Sequence, residues 1–311
     1  MNSSNAAAFS FDEDPIALPK GAWAATERQT LRLKDRPVLS LTQGKHRSYI
    51  FPLYTPAGFL VTTEAPADHP HHSSCWVAAD HVHCKMPAAA GRFEDYTYNF
   101  YLNETFQGRA PGTILQTGVK GRPTGGESFE ITQQLEWRGP IEWAAPSGRI
   151  ALKETRTTHI ALDGSAYVID IATALSAGDW DFTIGPTRHA LFNVRLAEGI
   201  AATSGGAVRD DRGKTGSAIT GEGARWIDYS GPVGGGNSAG ITVFAAPRTA
   251  QDETWFVTDW GVVTVGPFRN RACEVRKGET ATLRYRILVH DGVMDDAAIE
   301  KHYAAYARVL G

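Results

Sequence analysis

Between Glu127 and Thr173 apolar and polar residues change places at almost every step, in the stretches ESFEITQQLEWRG, IEWAA, GRIALKETRTTHIALDG and YVIDIATALSA. A two-residue period belongs to a strand with one buried face, because successive side chains leave a strand on opposite sides. Asp163-Gly164 stands between the last two long runs and marks a hairpin, since a primed turn needs positive φ. Shorter runs of the same kind precede them (TLRLKD, PVLSLTQ, SYIFPLY, GFLVTTE) and follow them (GITVFAAP, TWFVTD, GVVTVGPF, ATLRYRILVHDG). Helical spacing is confined to the end, where Asp295 or Asp296 caps AAIEKHYAAYARVL and Ile299, Tyr303 and Tyr306 share a face. The expected fold is all-β, a large antiparallel β-sandwich with a C-terminal helix. No repeat or long linker divides it, so residues 21–311 are expected to form a single domain behind a disordered tail over residues 1–20.

Net charge is -3 with both signs interspersed, which argues against a nucleic-acid or anionic-membrane surface and for a small partner of low charge. No apolar run reaches the roughly 18 residues of a membrane span. Three cysteines make no disulfide framework, and the first residues carry neither a basic n-region nor an apolar h-region. A cytoplasmic protein with reduced thiols is expected, and a homo-oligomer is compatible with the sequence.

Chemistry concentrates in DHPHHSSCWVAADHVHC, residues 68–84. It holds His69, His71, His72, His81 and His83, five of the ten histidines, beside Asp68 and Trp76. Imidazole titrates near neutrality and binds metals. Neighbours on a strand point apart, so His71 and His72 face one pocket only if the segment turns, and Pro70 supplies a turn signal. A second candidate stretch is DFTIGPTRHALFNVRLAEGI, with His189 expected mid-strand and Arg188, Asn193 and Arg195 around it. In FEDYTYNFYLNE, alternation puts Tyr96, Tyr98 and Phe100 on one face and Asp95, Thr97, Asn99 and Tyr101 on the other. The Gly-rich region from Ser204 to Gly240 reads as loops around short strands and lacks the context of a phosphate-binding loop.

RSYIFPLYTPAGFLVTTEAPADHPHH, GRIALKETRT, ARWIDYSGP, WGVVTVGPF and LRYRILVHDG together resemble the bacterial PmoA-like family of unknown function, over about Arg47 to Gly292. A weaker resemblance, to galactose mutarotase-like enzymes, rests on Asp68–Ser74 as the first histidine loop and Thr187–Val194 as the second histidine strand. It implies a β-supersandwich and a histidine-based sugar site. Those enzymes also use a late glutamate, and Gly261–Gly266 offers no carboxylate, so the resemblance implies the scaffold more than the reaction.

The expected activity is general acid/base catalysis on a sugar, keto-sugar or glycoside, of lyase, hydrolase or isomerase type. His71 or His72 would accept a proton and His189 donate one, each transfer being worth about 10² to 10⁴ in rate. Arg47 or Arg195 would hold developing negative charge, and Asp68 would fix the tautomer of a neighbouring histidine. His69, Trp76, Arg188 and Asn193 complete the expected substrate-binding set. No cofactor is required on this reading. A competing one is a divalent metal on His81 and His83 with Cys84 or His71; another is a carbohydrate-binding protein without catalysis. Arg195 paired with Glu198 or Glu154, and Glu154 in a sheet salt bridge, are the plain structural readings of those groups.

Overall fold

A computed structural model of the protein describes residues 9–14, 27–247 and 253–310. Among the described residues there are two eight-stranded sheets and one five-stranded sheet. The first sheet runs, edge to edge, Phe9–Glu13, Glu27–Leu33, Arg36–Gln43, Ser48–Leu53, Cys75–Ala79, Ala190–Arg195, Val262–Gly266 and Thr254–Val257. The second runs Ala207–Asp210, Trp226–Gly234, Asn237–Ala245, Thr280–Asp291, Ala166–Ser176, Ile150–Asp163, Ser128–Arg138 and Thr113–Pro123. The third is Cys273–Val275, Asp181–Ile184, Val82–Pro87, Phe93–Asn99 and Ala110–Pro111. The ladders are antiparallel except at Ala110–Pro111, which joins Phe93–Asn99 in parallel. The all-β antiparallel architecture read from the alternation is therefore present.

The period-two pattern does the packing. Along Ser128–Arg138 the side chains of Phe129, Ile131, Gln133, Leu135 and Trp137 are buried. Phe192 of the first sheet stacks on Tyr285 of the second, with centroids 5.2 Å apart. Buried apolar residues of all three sheets, Val77, Ile131 and Phe182 among them, belong to one cluster. Asp163 and Ala166 close the expected hairpin, with Gly164 at φ 60°. Glu154 is buried within the second sheet and accepts from Arg156, Trp137 Nε1 and Thr173, so its charge is fully compensated there.

The helix spans Asp296–Leu310, and Asp295 Oδ1 caps it by accepting from the Ala298 N–H at 2.7 Å. Its buried Ile299 and Tyr306 pack with Trp226, Phe244 and Leu288. No helix among the described residues is long and apolar enough to cross a membrane. The cysteines are unpaired.

Several expectations need correction. Phe9–Glu13 is a strand inside the expected tail, held by Phe9 and Phe11 against Phe129; residues 1–8 and 15–20 of that tail lie outside the described residues. GFLVTTE forms only isolated bridges, at Leu60, Thr62 and Glu64. IEWAA is a tight turn closed by Glu142 and Ala145, with Trp143 fully exposed, because it lies between strands already paired with each other. The Gly-rich region contains a long hairpin, Trp226–Gly234 with Asn237–Ala245.

Candidate active site at the seam between two sheets

The chain passes between the first and third sheets at neighbouring points. Cys75–Ala79 leaves the first sheet through Asp80 and His81 to enter the third as Val82–Pro87. Asp181–Ile184 returns from the third through residues 185–189 to become Ala190–Arg195. Ala190 is the register partner of Ala79, and Ile184 that of Val82, so antiparallel geometry sets the intervening His189 against Asp80. Gly185, at φ 81°, makes the bend: a Cβ there would sit 2.9 Å from the Phe268 carbonyl oxygen. His189 lies in this bend and not mid-strand as expected, because the ladder begins at Ala190.

Asp80, 4% exposed, accepts from His189 Nδ1 at 3.1 Å and from the Thr187 hydroxyl, while Thr187 Oγ1 accepts from the His189 backbone N–H at 3.0 Å. Arg188 Nε donates to His189 Nε2 at 3.2 Å. That donor leaves Nε2 as the acceptor, which puts the ring proton on Nδ1, facing Asp80. Burial pushes the Asp80 carboxyl up, but hydrogen bonds from His189 and Thr187 and the charge of Arg109 at 3.7 Å bring it below the ordinary carboxylate range.

The first histidine segment is a succession of turns. The His69 N–H donates to the Pro66 carbonyl, the His72 N–H to that of His69, and the Ala65 N–H to that of His72. Turning removes the strand constraint, so the rings of His69, His71 and His72 converge. The rings of His69, His72 and Trp260 are near-parallel and pack as a group of three, with centroids 4.5 Å apart for His69 and Trp260, 4.8 Å for His69 and His72 and 5.9 Å for His72 and Trp260, and His69 Nδ1 is 2.9 Å from Asp68 Oδ2. His71 stands edge-on to His72 at 4.6 Å. Tyr101 joins the two halves of the site: its ring is 5.6 Å from His71 and 4.8 Å from His189.

Arg47, 2% exposed, holds this loop from behind. Its guanidinium donates to the His71 carbonyl, to Ser73 Oγ, to the Tyr101 carbonyl at 2.8 Å and to Asn103 Oδ1 at 2.7 Å. Burial of this cation lowers its pKa to about 10. Burial, with the charge of Arg47 next in size, holds His71 at about 4; burial and the adjacent His71 hold His72 at about 2. Both rings are therefore neutral at physiological pH.

The expected site residues divide into two sets. His69, His71, His189, Arg188, Asp68 and Arg195 gather around Tyr101 and Trp260, with Arg195 paired to Asp68 at 3.0 Å and stacked 4.7 Å over Trp260, not paired to Glu198 or Glu154. Trp76 and Asn193 lie beneath as framework, each at most 1% exposed and not on an open surface, whereas Arg47 and His72, each at most 3% exposed, line a cavity with Tyr49, Glu64, Ser73 and Asn103. Asn193 bonds the carbonyls of Trp76 and Leu191 and accepts from Thr264, tying three adjacent strands together. His72 Nε2 faces the Tyr101 hydroxyl at 3.4 Å.

The metal arrangement is not assembled. Along Val82–Pro87, Cys84 is buried, whereas His83 turns out to Asp95 at 3.1 Å. Among the described residues no three His, Cys, Asp or Glu side chains converge as a metal site requires. Sequence reasoning passed over Asp80, Arg109, Phe256 and Trp260, and placed Tyr101 on a strand face without a role in the site. An acid closing the apolar run WVAA was the one visible signal, for Asp80.

A family model described as a family of unknown function, DUF6807, matches residues 28–304. No curated protein matches the chain in sequence. Among solved structures, an alpha-galactosidase from Lactobacillus brevis aligns at 8% identity and a TM-score of 0.37, covering 86% of this chain and 39% of its own. A TPR-domain containing protein from Parabacteroides distasonis aligns at 9% identity and a TM-score of 0.36, covering 94% of this chain and 57% of its own. The chain thus spans less than two thirds of either protein. Matched from residue 28 to residue 304, it belongs to the DUF6807 family, whose function is unknown.

Proposed function

We propose that the protein is an enzyme that moves a proton on a carbohydrate or sugar derivative, with His189 as the base. The observation that carries this reading is the buried Asp80 on His189 Nδ1, with the neutral His71 ring across Tyr101 from it. Asp80 fixes the tautomer that leaves the Nε2 lone pair available, and its charge balances the imidazolium formed when Nε2 takes a proton. The roles expected from the sequence are thereby exchanged. An imidazole held at about 4 is a poor base at neutral pH but a good neutral N–H donor, so His71 stabilises a developing oxyanion while His189 accepts the proton. The partly exposed rings of His69 and Trp260 offer aromatic surface against which the C–H groups of a sugar can pack. The likeness of Asp68–Ser74 and Thr187–Val194 to the histidine segments of galactose mutarotase-like enzymes favours the same substrate class.

The test is incubation with neutral and anionic sugars, keto-sugars and glycosides in deuterated water, followed by NMR, and is decided by the whole panel. Deuterium at a carbon beside a carbonyl, or release of an aglycone, is expected with the native protein and is expected to vanish in His189→Gln. Saturable sugar binding with neither outcome would overturn the enzyme reading in favour of a binding protein.

A further inference from the structure

Positive groups outnumber negative ones around the rings. Arg47, Arg109, Arg188 and Arg195 touch the cluster or its carboxylates, whereas the carboxylates beside it are Asp68 and Asp80, on its rings, and Glu64, which accepts from Tyr49 and shares a cavity wall with Arg47 and His72. With His71 and His72 neutral, a local cationic surplus remains in a chain whose net charge is -3. Arg195 is paired with Asp68, Arg109 with Asp80, and Arg47 is spent on carbonyls and neutral side chains. Arg188 differs. It is exposed, lies 4.9 Å over the Phe256 ring, and among the described residues donates only through Nε, to His189 Nε2. Beside Trp260, Arg195 Nε and Nη1 are buried with no acceptor among the described residues, so donors are in excess even inside the site.

The Arg188 contact bears on catalysis because Nε occupies the lone pair that His189 needs as a base. A neutral ring nitrogen is a weaker acceptor for guanidinium than a carboxylate or phosphate, which takes two parallel N–H bonds. An anion arriving beside Phe256 therefore outcompetes His189 for Arg188. We propose that the substrate is an anionic sugar, its charge on a carboxylate or a phosphate ester, and that Arg188, in turning to hold it, releases His189 Nε2. The base is then exposed only when a substrate of the right charge is bound. This rests on the reading of His189 as the base and adds the substrate class and the gate.

The experiment titrates the native protein and Arg188→Gln with D-galacturonate, D-galactose 6-phosphate and D-galactose. Affinity is read by calorimetry, the ¹⁵N shift of His189 Nε2 by long-range proton–nitrogen correlation at fixed pH, and deuterium uptake in parallel. At least one anion is expected to bind about tenfold or more tightly than galactose, as one charge-assisted pair allows, and that preference is expected to disappear in Arg188→Gln. The better anion identifies carboxylate or phosphate as the recognised group. The free Arg188→Gln protein should already show the Nε2 shift that the native protein shows only with the anion bound. Equal affinity for galactose and both anions, no binding of either anion, or a preference that survives Arg188→Gln would overturn the proposal. Deuterium uptake into galactose at equal rates in both proteins would overturn it too while leaving His189 as the base. An Arg188-dependent anion preference with no uptake of deuterium would uphold the anion site and sink the base reading instead.

Discussion

Asp80 Oδ2 lies 3.1 Å from His189 Nδ1, although 109 residues separate them in the chain. They meet because Ala79 and Ala190 are register partners in the first sheet and each chain continues one residue toward the third. Asp80→Asn keeps the shape but replaces an acceptor that fixes the tautomer by an amide that can donate. Turnover of the substrate is expected to fall by about 10² to 10⁴ with KM little changed. The same variant should move the ring proton of His189 from Nδ1 toward Nε2 in nitrogen NMR, a readout that needs no substrate.

Stability should depend on pH below neutrality, with a sign set by the histidines. Unfolded imidazoles titrate near the ordinary 6.5, whereas burial holds His71 at about 4 and His72 at about 2, and also lowers His46, His81 and His302. Above 6.5 both states are neutral and these groups contribute no difference. As pH falls through 6.5 toward 4, the unfolded chain binds protons that the folded chain refuses, and stability falls. Asp68 and Asp80 are lowered, so their contribution is lost only under more acidic conditions. The urea midpoint is expected to be lower at pH 5 than at pH 7.5 with an unchanged m-value, and His72→Phe should narrow the gap. A gap as wide in His72→Phe as in the native protein would count against His72 as a source.

Glu154 and Arg156 test the second sheet independently of the site. Both are buried, and the carboxylate also accepts from Trp137 Nε1 at 2.8 Å and Thr173 Oγ1 at 2.8 Å. Glu154→Ala strands a buried guanidinium and should cost about 3–5 kcal/mol in denaturant unfolding. The double variant Glu154→Leu/Arg156→Leu should recover much of that loss, since it removes both charges together.

The thiols report on the core. Cys75 and Cys84 are buried, and burial pushes each to about 12, while Cys273 is only half-buried. A thiol reagent should modify Cys273 first in the native protein and reach the other two only as it unfolds. Rapid modification of Cys84 in native buffer would show that the third sheet opens more readily than its packing implies.

The sequence by itself determined what is local. Alternation along Ser128–Arg138, Ile150–Asp163 and Ala166–Ser176, the Asp163-Gly164 turn and the Asp295 cap were all legible, because side-chain period, positive φ and capping are properties of a few consecutive residues. The histidine segments were legible as chemistry for the same reason. Tertiary structure alone decided which rings meet. Tyr101 comes between His71 and His189, Trp260 lies under His69 and Arg195, and Asp80 binds His189, through the pairing of strands far apart in the chain. Alternation says which face of a strand is buried but not which strand lies beside it, and that order is settled by the packing of a whole core. The same limit applies to IEWAA and GFLVTTE, which have strand-like composition but form a turn and a set of single bridges, the latter to Tyr54, Leu196 and Ser73 in three different segments.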